Sequence, residues 1–288
     1  MSTLLSVRGL VKEYPQRGAR RSDPPFRAVD DVFFDLEEGS TLAIVGESGS
    51  GKSTTGRCAL RLIEPTAGSV VYDGVDLVGL SADDMRRRRS EMQIVFQDTY
   101  ASLDPRWTVG RLLAEPLELH GRVSRREVRT RVGNMLETVG LEAGHADRYP
   151  HEFSGGQRQR IGIARALMLK PRLVVCDEPV SALDVSVQAQ VLNLMKDLQD
   201  EFGLSYLFIS HDIAVVEFMA DDLIVMNRGQ VVEAGPSAEV LSDPKDPYTR
   251  ALLAAVPDPD PETAARDRAA RRAVVAAGLH AAAEESAG

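Results

Sequence analysis

The stretch Gly46-Glu47-Ser48-Gly49-Ser50-Gly51-Lys52-Ser53-Thr54 decides how this chain is read. It fits G-x-x-x-x-G-K-[ST], in which glycines let the backbone curl until successive N–H groups point at the phosphates of a nucleotide. On this reading Lys52 reaches the outer phosphates, Ser53 offers its hydroxyl to Mg²⁺, and the helix opening near Lys52 turns its positive dipole end toward the anion. The flanks agree. Thr41–Val45 is a short apolar, β-prone run, and the segment from Lys52 to Ile63 lacks proline, so strand, loop and helix are expected in that order.

Further on, Leu173-Val174-Val175-Cys176-Asp177-Glu178-Pro179 reads as an apolar strand ending in two acids. Asp177 is expected to hold Mg²⁺, through its water shell, and Glu178 to orient and deprotonate the water that attacks the terminal phosphate. Without the phosphate loop the same residues would read as a strand followed by a solvated acidic turn.

The rest of the chain supplies an α/β context. The expected β segments are Leu4–Val11, Val29–Leu36, Gly68–Gly74 closed by a turn, and Met92–Phe96, with 16–25 as a polar surface insertion. From Arg106 to about Leu169 the pattern turns helical, with Val128, Val132, Met135, Leu136 and Val139 at helix-face spacing. Strands at Leu173–Cys176, Tyr206–Ile209 and Leu223–Met226 then alternate with a helix over Ser186–Phe202, which implies a mainly parallel sheet covered on both faces. Pro257-Asp258-Pro259-Asp260-Pro261 is expected to be an extended linker before an Ala-rich tail.

Composition bounds the partners. The 288 residues are 43% hydrophobic, enough for one large core. A net charge of −9 opposes a nucleic-acid surface, and the run Arg86–Arg89 is short and flanked by Asp83, Asp84 and Glu91, as on a solvated helix face. The two cysteines, Cys58 and Cys176, lie in apolar or helical segments and give neither a disulfide framework nor a metal quartet, which fits a reducing compartment. Met1–Leu10 does not read as a signal peptide, and no apolar run approaches the roughly 20 residues a membrane span needs, so membrane association is expected through a partner.

With these motifs in place, Ser154-Gly155-Gly156-Gln157 resembles the signature of the ATP-binding subunits of ABC transporters, and the resemblance runs from about Leu4 to Val256. Gly and Ser groups opening the helix of Arg158–Leu169 would make a second anion cradle. The resemblance implies a P-loop NTPase (RecA-like) α/β core with a mainly parallel sheet, an antiparallel β subdomain and an inserted α-helical signature subdomain at about 98–169. That cassette would occupy 1–256, leaving 257–288 as linker and tail. It further implies that two ATPase subunits pack head to tail, each ATP held between one phosphate loop and the partner's signature.

Other positions follow from the resemblance. Gln97 is similar to the glutamine that senses Mg²⁺ and the attacking water and links core to helical subdomain. His211 resembles the switch histidine at the γ-phosphate. Ser181-Ala182-Leu183-Asp184 resembles the loop through which subunits communicate, although Asp184 also suits an N-cap of the next helix. Tyr14 is similar to the aromatic residue that stacks on adenine, with a surface tyrosine as the alternative. Tyr149–Arg160, Asp246-Pro247-Tyr248-Thr249-Arg250-Ala251-Leu252-Leu253 and Gln97–Pro105 look like the oligopeptide/dipeptide importer group, which includes nickel importers, and like the second of its two ATPase subunits. That group commonly continues into a Pro- and Cys-containing segment, where this chain carries an Ala-rich tail without cysteine.

The expected activity is therefore ATP hydrolysis coupled to import of di- or oligopeptides. Its partners would be a second ATPase subunit, identical or paralogous, two transmembrane permeases and an extracytoplasmic solute-binding protein, with the chain peripheral on the cytoplasmic face of the membrane. Import of nickel or another small solute, and a soluble nucleic-acid-linked ABC ATPase, are the alternatives. Against the second, this sequence has neither the long coiled coil nor the tandem cassettes that such proteins carry.

Overall fold

The computed structural model describes residues 2–15, 24–120 and 124–255. Most of the expected insertion at 16–25, and the linker and tail expected at 257–288, lie outside them.

Two sheets organise the fold. β1 (Thr3–Tyr14) and β2 (Phe26–Glu37) pair antiparallel, and β3 (Thr41–Val45) follows, buried at every residue. After α1 (Lys52–Ala59) come β4 (Ala67–Tyr72) and β5 (Val75–Asp76), completing a four-stranded antiparallel sheet in the order β2-β1-β4-β5. Asp73 (φ 48°) and Gly74 (φ 74°) form the left-handed pair that reverses this last hairpin with the twist its strands require.

The remaining strands form the core sheet. α2 (Ala82–Arg88) precedes β6 (Met92–Val95), and a helical region follows, with α3 (Thr99–Ser102), α4 (Val109–His120), α5 (Arg125–Thr138), two short 3-10 turns and α6 (Gly155–Leu167). β7 (Leu173–Asp177), α7 (Val185–Phe202), β8 (Ser205–Ile209), α8 (Ile213–Met219), β9 (Asp222–Asn227) and β10 (Gln230–Pro236) come next, then α9 (Ser237–Ser242) and α10 (Pro247–Ala254). The six-stranded order is β10-β9-β3-β8-β7-β6, parallel throughout except where β10 turns back on β9. Burial on both faces explains why β3, β7 and β8 read as continuous apolar runs and not as alternating ones.

The helical region has its own core of Leu112, Leu113, Leu117, Leu136, Val139 and Ile161. Burying each such side chain is worth roughly 1.5–3 kcal/mol. It joins the sheet at its edge, where α6 packs on β6.

β1 and β2 run about three residues past their expected ends at Val11 and Val29, and three further departures have a structural cause. α1 stops at Ala59, four residues short, because Arg61 turns left-handed (φ 49°) and its guanidinium bonds the carbonyls of Leu77 and Leu80. α6 begins at Gly155, before Arg158, because Ser154 caps it. β10, whose hairpin turns on Arg228 (φ 49°) and Gly229 (φ 87°), extends the sheet beyond the strands expected from the sequence.

Candidate functional site

The phosphate loop leaves the C-terminal end of β3, between β8 and β9. Gly46 (φ 147°) allows no side chain, since a Cβ there would lie 2.1 Å from the Met226 carbonyl oxygen. Gly51 (φ 105°) similarly sits against Ala28, whose carbonyl oxygen would be 2.3 Å from its Cβ. The loop is thus pressed between β2 and β9. Gly229 N–H adds a bond to the Ser50 carbonyl at 2.9 Å.

Inside the curl, Lys52 is only 4% exposed and its Nζ donates to the carbonyls of Gly46 (2.7 Å) and Glu47 (2.8 Å). Burial lowers its pKa, opposed by the negative charges of Glu178 and Asp177. Ser50 turns its hydroxyl toward Gly46, buried and without a hydrogen-bond partner. A buried orphan hydroxyl, a buried ammonium and a left-handed Gly49 (φ 82°) with open space at its Cβ position are what a phosphate group would satisfy.

β7, two strands away in the sheet order, delivers the acids to the same end. Asp177 is 3% exposed at its side chain; Ser53 Oγ donates to its Oδ1 at 2.6 Å and Arg57 Nη2 to its Oδ2 at 3.1 Å. The oxygen donors Ser53 and Asp177 suit a hard divalent cation. No cluster of three acidic, His or Cys ligands occurs among the described residues, so the other ligands would be phosphate oxygens and water, as Mg²⁺ prefers.

Glu178 has a left-handed backbone (φ 51°), uncommon outside glycine, fixed by its N–H to the Ile209 carbonyl at 3.0 Å. That kink at the strand end turns its carboxylate to two neighbours. Gln97 Nε2 lies 3.0 Å and His211 Nδ1 3.1 Å from Glu178 Oε2. Gln97 also reaches Ser181 Oγ at 3.3 Å, and Ser181 donates to the Glu178 carbonyl at 3.1 Å. Residues from β6, β7 and β8 ends therefore converge on one carboxylate.

The signature turn stands elsewhere. Ser154 Oγ accepts from Gln157 N, and Gln157 Oε1 accepts from Ser154 N, a reciprocal cap that fixes the start of α6. Gly156 is required by packing, since a Cβ would meet Val187 Cγ1 at 2.4 Å, and Gly155 faces Leu183. Between α6 and the Gln97 loop runs a cleft of about 560 Å³, lined by Gln97, Asp98, Gly155, Arg158, Pro179 and Leu183. Because β8 and β7 separate β3 from β6, about 14 Å at ordinary strand spacing, the signature and the phosphate loop of one chain stand apart.

Two expected residues are less closely tied. Asp184 occupies the N-cap position of α7 by its backbone, but its exposed side chain makes no capping hydrogen bond. Tyr14 ends β1 opposite Phe26 and carries Lys12 Nζ 5.1 Å from its ring centroid. Its tie to the loop is indirect, through β2 and Ala28. Arg57 and Tyr248, which donate to Asp177 and accept from Glu47 N respectively, were not anticipated. Arg57 lies one helical turn after Ser53, and that i,i+4 spacing was the available signal.

Residues 29–181 match the ABC transporter family, and 232–279 match the oligopeptide/dipeptide transporter C-terminal region. The chain is 54% identical over 259 residues to a Brucella ovis protein provisionally named a peptide import ATP-binding protein, covering 90% of this chain and 80% of that one. It is 54% identical over 260 residues to the glutathione import ATP-binding protein GsiA of Salmonella typhi, spanning 90% of this chain but 42% of that longer protein. Among solved structures, an ATP-binding cassette captured as a dimer after hydrolysis, with ADP and Pi, superposes with a TM-score of 0.72 at 30% identity, covering 81% of this chain and 98% of that one. The cbiO1 subunit of the Clostridium perfringens transporter complex cbiONQ gives a TM-score of 0.74 at 27% identity over 84% of this chain and 92% of that one. The chain belongs to the ABC transporter family, as one of its ATP-hydrolysing cassettes.

Proposed function

We propose that this chain is the motor subunit of a peptide importer, hydrolysing ATP as a head-to-tail dimer. The observation that carries the reading is the convergence of Gln97 and His211 on the Glu178 carboxylate beside Lys52, Ser53 and Asp177. A signature turn on α6, which packs on β6 three strands from β3, supports the dimer, since Ser154 and Gly156 would complete a partner's site. The post-hydrolysis relative is itself a dimer.

In this mechanism Lys52 and the loop amides of residues 48–54 hold the phosphates. Mg²⁺, bound by Ser53 and Asp177 with Gln97 near it, would neutralise charge on the phosphate oxygens. Glu178 accepts the proton of the attacking water. Gln97, which hydrogen-bonds that carboxylate, and His211, whose Nδ1 lies 3.1 Å from it, steady the developing charge. Ser181 and Asp184 place the adjoining loop against the partner, and Tyr14 stacks on adenine.

Coupling to the membrane would run through permeases. Among the described residues no helix is long and apolar enough to cross a bilayer. A groove of about 250 Å³ beside Gln97 exposes Phe96 and Leu119, flanked by Glu115, His120 and Arg165, and would receive a cytoplasmic segment of a permease. The cassette would then lie on the cytoplasmic face, working with two permeases and an extracytoplasmic solute-binding protein. The peptide cargo rests on the names of the relatives, since glutathione is itself a tripeptide. Glu178→Gln should cut turnover by roughly a hundredfold or more, about 3 kcal/mol of barrier, while ATP still binds. Wild-type ATPase activity in that variant would overturn the assignment.

A further inference from the structure

The phosphate loop is also held from α10, about two hundred positions away in sequence. Tyr248, in the first turn of α10, packs its ring against the cluster that includes Ala43, Val45, Val216 and Val225, beneath β3. Its hydroxyl accepts a hydrogen bond from Glu47 N at 3.1 Å. The carbonyl of the same Glu47 accepts from Lys52 Nζ at 2.8 Å. Residue 47 is thus gripped on one side by the phosphate-binding lysine and on the other by α10.

That grip has a foundation. Glu233 on β10 accepts from Lys245 N (2.8 Å) and Asp246 N (3.1 Å), which fixes the chain just ahead of α10. Asp246 then caps the helix by accepting from Tyr248 N at 2.8 Å, and Arg250 Nε bonds the Pro244 carbonyl at 2.7 Å. Each contact limits where the Tyr248 hydroxyl can go. Glu233, Asp246 and Tyr248 all fall within residues 232–279, the region that matches the oligopeptide/dipeptide transporter C-terminal family.

We infer that Tyr248 is a positioning residue of the nucleotide site: by holding the Gly46–Glu47 peptide unit it sets the Gly46 carbonyl, which accepts from Lys52 Nζ at 2.7 Å, and it makes the C-terminal region a structural part of the phosphate loop. The inference rests on the reading of that loop as the ATP site.

Tyr248→Phe removes the hydroxyl and keeps the ring. Losing one ordinary hydrogen bond should weaken binding of a fluorescent ATP analogue about fivefold. KM for ATP should rise by the same factor with kcat unchanged, as expected for an interaction that is equal in ground and transition states. Hydrogen exchange at the Glu47 amide should quicken while the melting temperature holds. Glu233→Gln, which spoils one of the two bonds at 245 and 246 without touching the loop, should shift affinity and exchange in the same direction. Wild-type affinity and wild-type Glu47 exchange in Tyr248→Phe overturn the inference. If Tyr248→Phe also lowers the melting temperature, the same two readouts in Glu233→Gln decide it. Lys52→Ala separates the two readings: nucleotide binding that survives it defeats the ATP-site reading itself, whereas binding lost there but intact in Tyr248→Phe defeats only the role of Tyr248.

Discussion

The phosphate loop and the signature turn are both glycine-bearing helix starts, yet they are built in opposite ways. Gly46 and Gly51 are fixed by backbone carbonyls of β9 and β2, and Lys52 is buried within the curl. The signature is fixed from within its own first turn, by the Ser154–Gln157 cap, and Ser154 and Gly155 remain exposed. One element owes its shape to strands distant in sequence and closes around a ligand. The other takes its cap from its own four residues, packs Gly156 on Val187 of α7, and leaves Ser154 and Gly155 open to a second molecule.

The widest separation between them should appear in binding. Lys52→Ala should abolish nucleotide binding by the isolated chain, a loss of a hundredfold or more, because a charge-assisted phosphate contact and the loop's internal brace disappear together. Ser154→Ala should leave that binding intact and depress only the hydrolysis of the assembled dimer. Titrating a fluorescent ATP analogue into both monomeric variants checks this, and equal losses would erase the distinction.

Stability should follow the same division. Gly46→Ala drives a Cβ into the Met226 carbonyl at a positive φ, and should cost about 3 kcal/mol or more. At about 2–4 °C per kcal/mol for a domain of this size, calorimetry should record a fall of about 6–12 °C. Ser154→Ala removes a helix cap and should cost about 1 kcal/mol, a fall of about 2–4 °C. A larger loss at Ser154 than at Gly46 would mean that the signature is the more deeply wired of the two.

A smaller effect sharpens the picture on the phosphate-loop side. Burial pushes the Cys58 thiol up to about 11, and Cys176, under the same site, is raised further by burial and by Asp177. The thiolate is the reactive form, so iodoacetamide at pH 8 should label neither thiol of the native chain, and both once it is unfolded. Rapid native labelling would show that α1 opens away from the sheet.

Several features were legible because they are local. The phosphate loop, the acidic end of β7 and the signature each lie within a few consecutive residues, and the apolar runs of β3, β7 and β8 mark a doubly covered sheet without any knowledge of partners. The early end of α1 was not legible, because it depends on Arg61 finding carbonyls on the β5 side of the antiparallel subdomain, with no Gly or Pro to mark the stop. Nor was β10 expected, although Asn227-Arg228-Gly229 carries the turn glycine that could have announced a hairpin.

What the sequence alone determined is therefore the set of chemical groups: a lysine and hydroxyls for phosphate, a carboxylate pair at a strand end, and a self-capped signature helix. Only the tertiary structure decided their relations. The strand order β10-β9-β3-β8-β7-β6 brings Asp177 to Ser53 and His211 to Glu178, and the same order puts β6, on which the signature helix α6 packs, at the sheet edge. Arg57 on Asp177 and Tyr248 on Glu47 likewise arise from contacts between residues more than a hundred positions apart. Motifs are set by short-range stereochemistry, whereas partners across a sheet are set by how the strands pair and cross, and no local run of residues encodes that.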